Sequence, residues 1–129
     1  MITEDYVSFE TAKLLKEKGF DGECACFYRD YDYGVPGLEY DSSVTCINSW
    51  LDDEEYAAPT LQMAMKWLRE EKELYINIWA EPKNAEKNEF GIIYRMQVFN
   101  GISNYGIHEF LSYEKACEDG VKYCLENLI

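Results

Sequence analysis

The chain has few basic residues. Its 129 residues include 12 Lys and Arg against 25 Asp and Glu, which gives a formal net charge of −13. This shortage argues against binding to phosphate backbones or to anionic lipid, because both would repel the protein. The charge balance therefore predicts neither a nucleic-acid partner nor a membrane partner, and it leaves a basic protein as a permitted partner.

Two further absences narrow the class of protein. No apolar run approaches the ~18 residues of a membrane span, and the N-terminal stretch MITEDYVSFE lacks the basic start and apolar core of a signal peptide. The five cysteines are odd in number and are expected to be free thiols, as in a reducing compartment. We therefore expect a single domain, residues 1–129, located in the cytoplasm.

Residues that could carry catalysis are also scarce. His108 is the single histidine, and it lies in GIHEF, a predicted loop, where nothing in the sequence supplies the rest of a catalytic triad. The pairs Cys24/Cys26 and Cys117/Cys124 lack the knuckle spacing of zinc sites and the redox Cys-x-x-Cys spacing, so burial is the favoured interpretation. A thiolate metal site between the two pairs is the alternative. The sequence predicts no catalytic residue, no metal site and no cofactor.

Two acidic stretches have an ordinary and a functional interpretation. RDYDYG, Arg29 to Gly34, begins like a calcium loop but lacks its central glycine and closing glutamate, so a hairpin turn is favoured. LDDEEY, Leu51 to Tyr56, is expected to be a solvated loop before a helix. Its functional alternative is an acidic docking site for a basic partner.

What the sequence does contain is a pattern that recurs every 52 residues. SFETA begins at Ser8, TLQMA at Thr60 and SYEKA at Ser112, and each Ser or Thr suits a helix N-cap. The apolar runs between these segments match at the same offset. The pattern predicts an αββαββα tandem repeat, with two halves and a closing helix at 8–59, 60–111 and 112–129.

The predicted fold is α+β, a four-stranded antiparallel sheet with three helices on one face. Hairpin-like connections favour antiparallel pairing. Within TLQMAMKWLREE, apolar residues recur at the spacing of one buried helix face, so this segment is predicted to be core and not a docking helix. Gly120 is expected to allow close approach of the last helix to the sheet. The predicted helices cover 8–18, 60–72 and 112–127, and the predicted strands cover 24–29, 38–47, 75–80 and 91–99.

Side chains alternate along a strand, so one face of the sheet is expected to lie against the helices. The opposite face carries large apolar residues, and such a patch needs cover. The predicted loops at 48–58 and 100–110, a second copy of the chain, or a ligand would provide it. The candidate binding residues on this face are Phe27, Asn77, Trp79, Ile93, Arg95 and Phe99, with Ile47 beside them.

Three stretches carry a resemblance to known sequences, and they are FETAKLLKEKGFD, AAPTLQMAMKWLREE and SYEKACEDGVKYCLENLI. The chain resembles a family of small bacterial proteins found with prophages and other mobile elements. No activity, ligand or catalytic residue is established for that family. The resemblance implies an intracellular accessory protein of a mobile element or of its host.

Three hypotheses of function follow. The leading one is a non-enzymatic protein-interaction module, and homodimerisation through the apolar sheet face is one version of it. The second is an acidic inhibitor that mimics nucleic acid, which needs carboxylates ordered along one surface. The third is a small-ligand binder or enzyme with a pocket near Asn77, Trp79, Arg95 and His108, in which Arg95 would hold an anionic ligand.

Overall fold

A computed structural model describes residues 2–31, 33–40 and 45–129, apart from the side chain of Ala85. The chain forms three α-helices and six strands within these residues. The helices are α1 (Phe9–Glu17), α2 (Leu61–Lys72) and α3 (Tyr113–Asn127). The strands are β1 (Cys26–Arg29), β2 (Leu38–Tyr40), β3 (Glu55–Ala58), β4 (Tyr75–Pro82), β5 (Ile92–Phe99) and β6 (Asn104–Phe110).

The described strands form two separate three-stranded antiparallel sheets, so the prediction of a single four-stranded sheet is wrong. The first sheet has the order β2-β1-β3 and the second the order β4-β5-β6. Strands β3 and β6 lie in 48–58 and 100–110, which were predicted to be loops. Both escaped prediction because β3 has only four residues and β6 contains Gly106, a residue that weakens a strand.

The two sheets also connect their strands differently. The first strand of the chain is central in the first sheet, whereas the second sheet runs in sequence order with β5 in its centre. The sheets therefore do not show the predicted tandem repeat of 8–59 and 60–111. The predicted strand 38–47 is described as β2 and as a bridge from Cys46 to Cys24. Residues 41–44 of that prediction lie outside the described part of the chain.

The predicted helix caps are confirmed. Side-chain oxygens of Ser8, Thr60 and Ser112 accept hydrogen bonds from backbone N–H groups three residues later, at 3.1 to 3.2 Å. Each cap satisfies one of the N–H groups that the first turn of a helix leaves free. Beyond the end of α1, Gly19 has a φ of 92°, in the left-handed region where glycine is favoured.

Helix α2 is core, as its apolar spacing predicted. Its buried residues are Leu61, Ala64, Met65 and Leu68. Trp67 packs edge-to-face against Phe20, with ring centroids 5.5 Å apart. The methionine-rich stretch is thus not a free docking helix.

Helix α3 joins the two parts of the molecule, because it contacts α1, α2 and all three strands of the second sheet. A Cβ on Gly120 would lie 2.8 Å from Cγ2 of Ile76, so the predicted close approach to a sheet is confirmed. On its other side, Glu118 accepts hydrogen bonds from the Ser8 hydroxyl and from Thr11 Oγ1, the latter at 2.6 Å. This carboxylate sits at the positive N-terminus of α1 and holds the two helices together.

Candidate functional site

The second sheet has one face against the helices and one face that we call the open face. Met96 and Val98 point to the helices and are buried, and Ile76 and Ile78 pack against the same core. Side chains at the alternate positions therefore point the other way. The open face consists of Tyr75, Asn77, Trp79 and Glu81 from β4, Ile93, Arg95, Gln97 and Phe99 from β5, and Ile107 and Glu109 from β6.

The two segments that were predicted to cover this face form parts of the two sheets instead. Residues 48–58 contain a short 3-10 helix and β3, which belongs to the first sheet, and residues 100–110 supply β6, which widens the second sheet. Ile107 is 53% exposed and Tyr75 is 38% exposed. The open face thus remains accessible, and part of its surface is apolar.

Five of the six candidate residues lie together on the open face, and Phe27 does not. Phe27 is on β1 in the first sheet, is only 8% exposed, and has the guanidinium of Arg29 over its ring at 5.6 Å. Ile47, grouped with it in sequence, is also buried. Both were assigned to the same surface because all strands were placed in one sheet.

At one end of the open face, Tyr75 and Phe99 face each other across β4 and β5. Their rings are stacked, with centroids 5.5 Å apart and an interplanar angle of 17°. Asn77 and Gln97 form the next pair on the same face. This end of the face offers aromatic rings beside amide groups, a combination suited to packing against another protein.

The other end of the open face holds a charged cluster. Arg95 lies between two carboxylates, because its Nε donates to Glu81 and its Nη1 lies 2.7 Å from Oε1 of Glu109. The indole N–H of Trp79 also donates to Glu81, at 3.2 Å. The hydrogen bond from Arg95, followed by that from Trp79, lowers the pKa of Glu81, and the bond to Glu81 raises the pKa of Arg95.

This cluster argues against a simple anion site at Arg95. An anionic ligand would have to displace Glu81 or Glu109, each of which already neutralises the guanidinium. The sequence did not predict Glu109 as a partner of Arg95, because the segment GIHEF was predicted to be a loop and it forms part of β6. The three side chains Glu81, Arg95 and Glu109 together carry one net negative charge.

His108 lies on the other side of the sheet from Arg95. It is on β6, which corrects the predicted loop position, and it pairs in register with the buried Met96. With Asp119 and Lys122 of α3 it lines an open groove of about 350 Å³ on the helix side. The pocket proposed from sequence, with Arg95 and His108 together, is therefore not formed.

The five cysteines are buried thiols. Burial raises the pKa of the thiols of Cys24 and Cys124 to about 12, and those of Cys26 and Cys117 to about 11. Such thiols stay protonated near neutral pH and are poor nucleophiles. Within 2–31, 33–40 and 45–129, no group of three or more His, Cys, Asp or Glu side chains could hold a metal ion.

The acidic run Asp52–Glu55 is partly tied into the first sheet. Glu55 begins β3 and is only 9% exposed, and its carboxylate lies 2.6 Å from Nη2 of Arg29. The hydrogen bond from Arg29, together with the backbone N–H of Asp52, lowers the pKa of Glu55. Lys16 donates to the backbone carbonyls of Asp52 and Glu55 at 2.8 Å. One of the four acids is thus structural, and the other three are exposed.

Comparison of the chain with protein-family models, with curated proteins and with solved structures finds no match. None of the described helices is both long and apolar enough to span a membrane. The open face is therefore the feature on which a proposal of function rests.

Proposed function

We propose that the protein is a non-enzymatic cytoplasmic binding module, and that it engages a protein partner through the open face of the second sheet. The observation that carries the proposal is an accessible face that combines the Tyr75–Phe99 stack with Trp79 and Ile107. Aromatic residues are enriched in the buried centre of protein interfaces, where a few of them supply most of the binding energy.

The shape of the face favours a protein over a small molecule. Small-molecule sites are concave and enclose most of their ligand. The open face is one side of a three-stranded sheet, and its single cation, Arg95, is already neutralised by Glu81 and Glu109. A broad surface whose one cation is already paired can bind a second protein without leaving that cation buried and unpaired.

The charge of the chain favours a basic partner. The net charge is −13, and the charged cluster on the open face is itself net negative. A partner with Lys or Arg around an apolar centre would be attracted over a distance and would then bury the aromatic residues. Because that attraction is electrostatic, association is expected to slow as ionic strength rises. The resemblance to proteins of mobile elements supports placing the module with such an element or its host.

The nucleic-acid-mimic hypothesis gains no support from the charges. A mimic needs carboxylates held along one surface, whereas acidic residues occur on all three helices and on both sheets. Several of them are already paired, as Glu55 is with Arg29 and Glu10 with Lys122. We therefore retain the protein-binding proposal alone.

The proposal is tested by two matched substitutions. Ile107→Glu places a carboxylate on the open face, at a side chain that is 53% exposed, and Ile102→Glu places one in the β5–β6 turn, at a side chain that is 94% exposed. Tagged wild-type and variant proteins are incubated with an extract of the native host, and captured proteins are quantified by mass spectrometry. We expect at least one protein to be captured by the wild type and by Ile102→Glu, and to fall at least about tenfold with Ile107→Glu.

The two residues are chosen so that neither variant should unfold, since both side chains are exposed. Equal thermal unfolding midpoints of the three proteins confirm this. Capture of the same proteins at the same level by wild type and Ile107→Glu would contradict the proposal. A calorimetric titration with the purified partner then gives the affinity and its dependence on salt.

A further inference from the structure

The β3 edge of the first sheet is closed by other segments of the same chain. On the outer side of β3, the backbone N–H of Ala57 donates to the side chain of buried Asn48 at 2.9 Å. Just beyond β3, the N-terminal segment adds two backbone bonds, from Val7 to the carbonyl of Pro59 and from Leu61 to that of Asp5. This edge therefore has few backbone groups left to pair with another chain.

Strand β4 is an edge of a different kind. It has eight residues, and its one neighbour among the described strands is β5, with which it pairs continuously from Tyr75 to Pro82. Among the described residues, no hydrogen bond joins the outer edge of β4 to any other segment. A long regular edge of this kind presents a row of free N–H and C=O groups that can template a further strand.

The opposite edge of the same sheet carries the features that prevent such pairing. Strand β6 contains Gly106 with a φ of 80°, a shift of register against Gln97 and Phe99, and the charged residue Glu109. Irregularities and charges of this kind discourage edge-to-edge association. Strand β4 has a regular register and no glycine or lysine, and its one proline, Pro82, is its last residue.

Strand β4 is also nearly neutral in a strongly acidic protein. Its one charged residue is Glu81, and Arg95 pairs with that carboxylate. Two molecules with a net charge of −13 each repel one another over most of their surface. An edge with a compensated charge is where a second copy can approach with the least repulsion.

We propose that β4 pairs in antiparallel fashion with β4 of a second copy, so that two second sheets become one six-stranded sheet. The inference goes beyond the proposed function, because it names the occupant of the edge and leaves the open face for the partner. The two open faces then form one continuous binding surface to which both copies contribute Tyr75 and Trp79. Contacts of this two-fold kind are self-complementary and produce a closed dimer.

The two-fold symmetry restricts the register. In a regular antiparallel ladder only alternate residues offer their N–H and C=O to the outer side, so paired positions must have the same parity. The longest overlap that keeps Pro82, which has no N–H, outside the ladder is centred on Ile78. It places Tyr75 opposite the second copy's Glu81, and Asn77 opposite the second copy's Trp79. No two carboxylates face each other in this register.

The test uses two exposed asparagines on the two edges of the same sheet. Asn77→Glu adds a carboxylate on β4 beside the two-fold axis, and Asn104→Glu makes the same change on β6. Sedimentation equilibrium measures the dimer dissociation constant of wild type and both variants. We expect the wild-type protein to dimerise. Its dissociation constant should rise at least about tenfold in Asn77→Glu and should be unchanged in Asn104→Glu.

A second measurement needs no variant. Hydrogen exchange of the wild-type protein is measured at low and at high protein concentration. Backbone amides of residues 75–82 should exchange more slowly at the high concentration, and those of residues 104–110 should exchange at the same rate at both. Raising salt should strengthen the dimer, because like charges are screened, whereas it should weaken capture of a basic partner. The two proposals can therefore fail separately.

The inference would be overturned if the wild-type protein stayed monomeric at protein concentrations up to about 0.5 mM. A dimer that forms only above that concentration would not be populated at ordinary protein concentrations. The inference would also be overturned if Ile107→Glu, a change on the open face that lies on β6 and away from the β4 edge, weakened the dimer as much as Asn77→Glu. That result would assign the dimer to the open face and not to the edge.

Discussion

The two sheets of this protein differ in how completely they are closed. The first sheet has strands of three and four residues, and its Phe27, Tyr28 and Ala57 are buried. The second sheet has strands of seven and eight residues, and all of its open-face residues are exposed or half-buried. The first sheet therefore behaves as core, and the second offers both an open face and an open edge.

The difference comes from the segments between the strands. In the first half, residues 45–51 fold back so that buried Asn48 bonds to Phe20 and Ala57. The corresponding connection in the second half, from β5 to β6, is the short turn 100–103, in which Asn100 accepts hydrogen bonds from the backbone N–H groups of Ile102 and Ser103 and residues 101–103 are exposed. Helices begin at the same spacing in both halves, yet the first sheet is largely buried and the second keeps an accessible face and an edge that is unpaired among the described strands.

The largest expected loss of stability comes from a substitution of Asn48, which bonds to the closed edge of the first sheet. Asn48→Ala leaves the N–H of Ala57 and the carbonyl of Phe20 buried without partners, which we expect to cost about 2–4 kcal/mol of unfolding free energy. The matched change Asn77→Ala, at an exposed asparagine of the open face, should cost less than about 0.5 kcal/mol. Urea unfolding of both variants measures the two values. Equal values would contradict the distinction between a closed and an open sheet.

A smaller effect is expected where α3 covers the inner face of the second sheet. Gly120→Ala places a methyl group 2.8 Å from a Cγ atom of Ile76, and we expect a net loss of about 1–2 kcal/mol after the gain in helix propensity. Gly37→Ala, in the first hairpin, meets no atom within 4 Å and serves as the control. Thermal unfolding compares them. A Gly120→Ala protein as stable as wild type would show that the inner face is loosely packed.

The smallest losses of stability are expected at two ion pairs, Arg29–Glu55 on the first sheet and Arg95–Glu81 on the second. The pKa of Glu55 is lowered from 4.5, so its contribution to stability is present above that value and is lost as pH falls through the lowered folded-state pKa. Glu55→Gln should therefore cost about 1 kcal/mol at neutral pH, and this difference from wild type should vanish in acid.

Glu81→Gln on the open face should show the same direction of pH dependence, because the pKa of Glu81 is also lowered. Its effect should be weaker and should be removed by salt, since the Arg95–Glu81 pair is more exposed than the carboxylate of Glu55. Unfolding curves at pH 7 and in acid, at low and high salt, measure both. An effect of Glu81→Gln that resists salt would mean that the open face is more buried than its side chains indicate.

Local features of this fold could be predicted from sequence. The caps at Ser8, Thr60 and Ser112 and the buried face of α2 depend on neighbours within one or two turns, and both were predicted correctly. Alternation also assigned Trp79 and Arg95 to a face away from the helices.

Pairing between distant segments could not be predicted in the same way. The residues that form β3 and β6 have weak strand signals, and their strands depend on partners supplied by tertiary structure. Because β6 was not predicted, the position of Glu109 beside Arg95 was not predicted either. Arg95 was therefore inferred to be free for an anionic ligand, although two carboxylates neutralise it. Phe27 was placed on the binding surface because one sheet was assumed instead of two.

The central claim is that the second sheet, and not the first, forms the binding surface. The most direct measurement is hydrogen exchange of the purified protein with and without the partner captured from the host. The account predicts slower exchange in β4, β5 and β6 and no change in β1, β2 and β3. Protection confined to β1, β2 and β3 would contradict it.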